Sequence, residues 1–219
     1  MLIVDNTKKL KDIIEFKDGT YYKFVCLLRT KDYKDSDEEP MLKCMEKQEI
    51  LVKDWLIDSQ EMLDKTLPDM LKFTETFKCR LYMCTDRKSV VKTLKTMRDI
   101  VQNYLDPFIG NSNVNCSVRA IKKICSSATN KSESSDREGR KWLFDVDSKA
   151  NINILNDLDK VLKDKLLAKL ETKNGYHYIT KKDFDAYKVL EDLCYIYNRV
   201  GEDFPVELKD NAMTLIAMG

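Results

Sequence analysis

The sequence predicts an α+β fold. The order of elements from residue 141 onward carries this most directly: a buried-type strand, a helical stripe, two short extended pieces, a second helical stripe and a strand. That is the order of helices laid against one sheet. Only 6 glycines and 4 prolines occur in 219 residues, so long elements with few tight hairpins are expected. Hydrophobic residues make up 43% of the chain and charged residues 34%, a composition that folds rather than one that stays disordered. The length suits one compact domain with a core that needs no disulfide or metal.

Taken in order, Tyr21 to Leu28 (YYKFVCLL) is rich in β-branched and aromatic residues and reads as a strand. Residues 41–77 are mostly good helix formers, with Pro68 as a break or a first-turn residue. Residues 1–77 therefore read as a largely helical, acidic part of the chain. Arg80 to Cys84 (RLYMC) is a short strand. Apolar residues at 90, 94, 97, 101 and 105 then mark one face of a helix. A loop, GNSNVN, follows Pro107, and a short helix is expected around Val118 to Ile124. Residues 126–139 (SSATNKSESSDREG) hold almost nothing apolar and read as a flexible loop.

Lys141 to Asp147 (KWLFDVD) is a strand ending in acids. Ile154, Leu155, Leu158, Val161, Leu162 and Leu166 form a helical stripe, with Asn151 or Asn153 as its N-cap. ETKNGYHYIT gives two extended pieces around the turn Asn174-Gly175. Ala186, Leu190, Leu193, Cys194 and Tyr197 share the face of a second helix, and FPVELKDNAMTLIAM begins with a strand.

Several function classes are excluded by counting. The seven cysteines (26, 44, 79, 84, 116, 125, 194) form no CxxC pair, the usage of a reducing compartment such as the cytoplasm. A single histidine rules out a three-His zinc site. No apolar run approaches the roughly 18 residues of a membrane span, and the start, MLIVDNTKKLKD, lacks the pattern of a signal peptide. The net charge of +1 conceals an uneven spread. Asp32 to Asp64 holds 11 acids and 4 lysines, whereas Lys160 to Lys182 holds 7 lysines and 2 acids. Each is either a solvated face or a docking surface, and the basic one would attract polyphosphate or nucleic acid.

Three features carry chemistry. Asp145 and Asp147 are two apart on a strand and so point to one face, where two carboxylates repel unless a cation lies between them. Such oxygen ligands suit Mg²⁺ or Mn²⁺, though a polar strand end with two solvated acids has the same pattern. His177, the only imidazole, follows a turn containing Lys173, Asn174 and Gly175, an arrangement able to meet a phosphate or to bury one satisfied histidine. Asp210, beside Lys209, ends another strand and is otherwise a surface turn. Three acids, an imidazole and lysines are the inventory of metal-dependent phosphoryl or nucleotidyl transfer.

The segments WLFDVD, ETKNGYHYIT and VELKDNAMTLI, with CRLYMCTDRK as a fourth, resemble archaeo-eukaryotic primases, and more closely the small primase-polymerase-like proteins of bacteriophages. The resemblance covers roughly residues 78–219. It implies a primase-like fold in which a small α/β unit packs on an RRM-like antiparallel or mixed sheet carrying the catalytic acids. It implies that Asp145, Asp147 and Asp210 bind divalent metal and that His177 contacts the phosphates of a nucleoside triphosphate. The mechanism expected from these residues places two Mg²⁺ or Mn²⁺ ions on the three acids and uses Lys173, with Arg80 or Lys209, beside His177 to neutralise the triphosphate. The activity implied is addition of nucleotides to a 3′-hydroxyl on a single-stranded DNA template in phage replication, within the host cytoplasm. Gly175 stands where the family has a serine two residues before the histidine, with Thr172 and Asn174 nearby to compensate. That departure, and the acidic segment 32–64 as a face for a replication or host protein, support an alternative: a nucleotide- or protein-binding factor that kept the fold and lost catalysis. A metal-dependent nuclease using the same acids, and a structural protein without a ligand, complete the alternatives.

Overall fold

The computed structural model describes residues 2–32, 49–105, 119–147 and 152–219. The architecture is α+β, as the sequence predicts, but with two antiparallel sheets instead of one. Ten strands are described: β1 Val4–Asp5, β2 Thr20–Arg29, β3 Glu49–Ile57, β4 Arg80–Cys84, β5 Lys88–Ser89, β6 Lys141–Val146, β7 Leu166–Glu171, β8 Tyr176–Lys181, β9 Val206–Asp210 and β10 Met213–Met218. Six α-helices accompany them: α1 Leu10–Ile13, α2 Gln60–Thr76, α3 Val90–Leu105, α4 Arg119–Asn130, α5 Ile152–Leu162 and α6 Ala186–Arg199. The larger sheet runs β1-β10-β4-β2-β3, with β5 paired to the start of β2, and the smaller runs β7-β8-β6-β9.

The smaller sheet follows the predicted order closely. Its chain path is β-α-β-β-α-β, a split βαβ arrangement in which β6 and β8 occupy the centre. Trp142, Phe144 and Val146 of β6 point to one face, where they pack with Ile154, Leu155, Leu158 and Leu162 of α5 and Leu193 and Tyr197 of α6. The helical stripe ends at Leu162, and Leu166 starts β7. Helix α6 is capped by Asp185, whose side chain accepts from the Lys188 amide. Asn153 lies inside α5 rather than capping it, and Asn151 falls outside the described residues.

The larger sheet corrects the reading of the first third. Residues 49–57 (EILVKDWLI) form β3, not helix, because they complete an antiparallel ladder with β2 from Tyr22↔Ile57 to Arg29↔Glu49. Helix formers within this segment are overridden by that pairing and by the β-prone Ile50, Leu51, Val52 and Trp55. The helix begins only at Gln60, where Ser59 accepts from the Met62 amide, and Pro68 lies inside it. Pro68 and Asp64 are both exposed, so the carbonyl that Pro68 cannot pair is open to water. The larger sheet also draws on both sides of residue 77. β2 and β3 share a sheet with β4 and with β10, which comes from the far end of the chain. One core joins the two sheets: Tyr22, Phe24, Leu81, Met83, Leu63 and Met70 pack with Ala168, Leu170 and Ile179 of the smaller one.

The segment 126–139 is not a solvated loop. Helix α4 continues to Asn130, and Ser134 and Ser135 are wholly buried. Ser135 meets the equally buried polar run Thr85-Asp86-Arg87-Lys88 at Lys88. Arg87 is fully enclosed and donates to Asp136 at 2.5 and 2.9 Å. Lys88 donates to the Lys131 carbonyl at 3.1 Å and the Ser135 hydroxyl at 3.0 Å. A polar sequence is buried here because another polar sequence satisfies it. The expected loop after Pro107, Val118, and Cys44 and Cys116 lie outside the described residues.

Candidate functional site

Strand parity decides what the smaller sheet offers on the face its helices leave open. On β6 that face carries Leu143 and Asp145, with Asp147 just beyond the strand end. The β6–β8 register sets Asp145 against His177, and the β6–β9 register sets it against Glu207, with Leu143 against Lys209. This face meets the end of the larger sheet where Leu27 and Arg29 of β2, Arg80 and Tyr82 of β4 and Leu215 of β10 line the opposite wall. The cleft between them has a volume of about 540 Å³. Asp145, Asp147, His177, Lys173, Lys209, Arg80 and Asp210 all border it.

At its centre His177 Nε2 lies 3.3 Å from Asp145 Oδ1, and Lys209 Nζ donates to Asp145 Oδ2. His177 Nδ1 is 2.9 Å from the hydroxyl of Thr214, which is wholly buried at the start of β10. An ionised carboxylate only accepts, so this geometry fits the tautomer protonated on Nε2, with Nδ1 accepting from Thr214. Burial pushes the Asp145 carboxyl upward, but the bonds from His177 and Lys209 outweigh it and bring the carboxyl down to about 2. The ammonium of Lys209 also lies 3.3 Å from Glu207. Burial opposes its charge and the two carboxylates more than restore it, so its pKa is raised.

A second charged group stands across the cleft. Arg80 donates through Nε to Asp32 Oδ2 at 2.7 Å and through an Nη to Oδ1 at 2.6 Å, a two-pronged pair, and its other Nη donates to Tyr82 Oη at 3.2 Å. Lys173, in the β7–β8 turn of the smaller sheet, reaches the same carboxylate at 3.4 Å. Burial pushes Asp32 up and its two cations pull it below the usual carboxylate range. The turn itself explains Gly175. A Cβ there would sit 1.8 Å from the Val146 carbonyl oxygen, so the serine of the resembled family cannot be accommodated. Thr172 makes the local contact instead, its Oγ1 accepting from the Gly175 amide at 2.9 Å.

Asp210 departs from expectation. It pairs in register with Trp142, not with Asp145, and so belongs to the helix-covered face. Its carboxylate accepts from Lys182 at 2.6 Å, and the Lys182 ammonium lies 3.7 Å from the Trp142 ring centroid. Asp210 reaches only the rim of the cleft, where the strand ends. The acid of β9 on the Asp145 face is Glu207. The donor set therefore does not fit the expected two-ion site: both oxygens of Asp145 are held by cationic or N–H donors, and Asp210 points elsewhere. Among the described residues no group of three or more His, Cys, Asp or Glu could hold a metal ion.

The basic stretch 160–182 does not form one edge. Five of its seven lysines pair with carboxylates: Lys160 with Asp157, Lys165 with Asp183, Lys169 with Asp159, Lys173 with Asp32 and Lys182 with Asp210. Of the acidic stretch, Asp32 and Glu49 turn to Arg80 and Arg29 at the cleft, while 33–48 lies outside the described residues. Sequence reasoning missed Asp32, Thr214, Glu207 and Asn211. Asn211, at φ 48°, lies in the connection from β9 of the smaller sheet to β10 of the larger one. It accepts from Lys88 at 2.6 Å and donates to the Asn130 carbonyl at 2.8 Å. An Asn after a strand-ending Asp was a visible turn signal; the others left none.

Comparisons with family models, with curated proteins and with solved structures found no match to this chain. Among the described residues no helix is long and apolar enough to cross a membrane.

Proposed function

We propose that the cleft binds the phosphates of a nucleoside triphosphate, in a protein of primase-like fold whose phosphate contacts come from His177, Lys209, Lys173 and Arg80. The observation carrying this reading is the convergence of these four donors, from both sheets, on one cleft. The β-α-β-β-α-β path with its acids on the open face supports the RRM-like part of the resemblance. Tethering of Asp145 by Lys209 and the turning away of Asp210 favour the binding reading over metal-dependent synthesis. Synthesis keeps one observation of its own, the shared face of Asp145 and Asp147. Single-stranded DNA remains the proposed polymer partner.

Two measurements test this. Calorimetric titration with a nucleoside triphosphate should show binding that weakens at least fivefold in Lys209→Ala; absence of binding to the unaltered protein refutes the proposal. Incubation of labelled single strands with ribo- and deoxyribonucleotides, in Mg²⁺ and Mn²⁺, then decides the reaction. Extension that is lost in Asp145→Asn assigns synthesis, shortening assigns a nuclease, and neither leaves the binding role.

A further inference from the structure

The turn Thr30–Asp32 follows β2 and delivers one carboxylate into the angle between the sheets. Asp32 and Arg80 are both nearly enclosed, with 8% and 7% of their side chains exposed, whereas Lys173 is 43% exposed. The partners come from different sheets, so Asp32 ties the two walls of the cleft together. Two oxygens of one carboxylate on the two N–H groups of a guanidinium is also the geometry in which arginine holds a phosphate, which carries more charge and a further oxygen for a lysine.

We propose that Arg80 and Lys173 form a subsite for one phosphate group of a polyphosphate ligand, and that Asp32 is its built-in competitor, filling the subsite in the free protein and leaving when the phosphate enters. This rests on the nucleotide-binding reading of the cleft and adds a latch to it. The apparent affinity of a latched site is the intrinsic affinity reduced by the fraction of time the site is open. A latch closed nine-tenths of the time weakens binding about tenfold.

The test is calorimetry with inorganic tripolyphosphate on the whole protein. Asp32→Asn should bind about tenfold more tightly than the unaltered protein, and adding Lys173→Ala to it should reverse the gain. Glu49→Gln, which removes another carboxylate lining the cleft, should change affinity less than twofold. Equal gains in Asp32→Asn and Glu49→Gln would reveal a general charge effect and overturn the latch, as would no gain in Asp32→Asn. Folding of each variant is followed by its melting curve. Should Asp32→Asn not fold, the unaltered protein still decides: the Arg80 Nε–H nuclear resonance, identified through Arg80→Lys, must move as tripolyphosphate saturates the protein, and a fixed resonance refutes displacement. Nucleoside triphosphate binding to the unaltered protein without any Asp32 effect defeats the latch alone. Absence of all binding, in every variant, defeats the function reading and the latch with it.

Discussion

Replacing Asp145 by Asn tests the electrostatic centre of the cleft. The substitution keeps the shape of the side chain but removes the charge that His177 and Lys209 face, and it replaces one of the two acceptor oxygens with an NH₂ donor, leaving either His177 or Lys209 without its acceptor. A carboxyl that titrates at about 2 when folded and at 3.8 when unfolded contributes roughly 2 kcal/mol at neutral pH. The Lys209 side chain is 42% exposed, and solvent screening reduces the contribution to about 1–2 kcal/mol. Because the folded pKa is the lower one, the contribution is present in full above the unfolded value and is lost as pH falls through the folded one. Urea unfolding at pH 7, 4 and 3 should therefore show a gap of about 1–2 kcal/mol between the unaltered protein and Asp145→Asn at pH 7, shrinking to roughly half by pH 3. A variant as stable as the parent at pH 7, or a gap that does not narrow in acid, would refute the ion-paired state of Asp145.

Gly175→Ser should cost about 3 kcal/mol or more, since the added Cβ meets backbone that cannot turn aside. Gly19→Ala, at φ 69° with open space around it, should cost only about 1 kcal/mol, and melting curves rank the two. Asp136→Ala leaves the enclosed Arg87 guanidinium with Glu15 as its one carboxylate partner among the described residues and should destabilise the fold by about 3 kcal/mol in denaturant titration. Burial lowers Lys141 to about 8, so the unfolded chain binds the extra proton between that value and 10.5. Stability attributable to this residue therefore rises with pH across the interval, by roughly 2–3 kcal/mol. The difference in unfolding free energy between the parent and Lys141→Met, measured at pH 7.5, 9 and 10, should grow in the parent's favour.

The smaller sheet was legible because its helices bury one stripe each. Ile154, Leu155, Leu158 and Leu162 recur at helical spacing, and Trp142, Phe144 and Val146 alternate at strand spacing. β3 was not, because the strand propensities of Ile50 and Val52 are diluted by Glu49, Lys53 and Asp54 and only the ladder with β2 decides the matter. The buried run Thr85 to Lys88 was equally hidden, since its partners at 131 and 136 lie more than forty residues away along the chain. The same distinction runs through the site. That Asp145 and Asp147 border one cleft follows from period two carried one residue past the end of β6. The alternation of VELKD likewise puts Asp210 with Val206 and Leu208 on the helix-covered face. Which residue of β6 lies opposite it, however, depends on the register between strands distant along the chain, and no pattern within a single strand contains that information.

The charges of the cleft thus form a closed set of exchanges rather than an open cationic surface. Lys209 is held by Asp145, and Arg80 and Lys173 by Asp32. A phosphate entering such a site neutralises nothing that is bare; it replaces one anion with another, and the displaced carboxylate must find water or a different donor. The free energy of entry is therefore the difference between two similar interactions, so geometry matters more than net charge. A guanidinium fork prefers whichever anion offers two oxygens at the right separation while a third reaches Lys173. For the same reason the near-zero charge of the whole chain is no argument against a polyanionic ligand: the cations that would hold it are present, and each already has an anion on it.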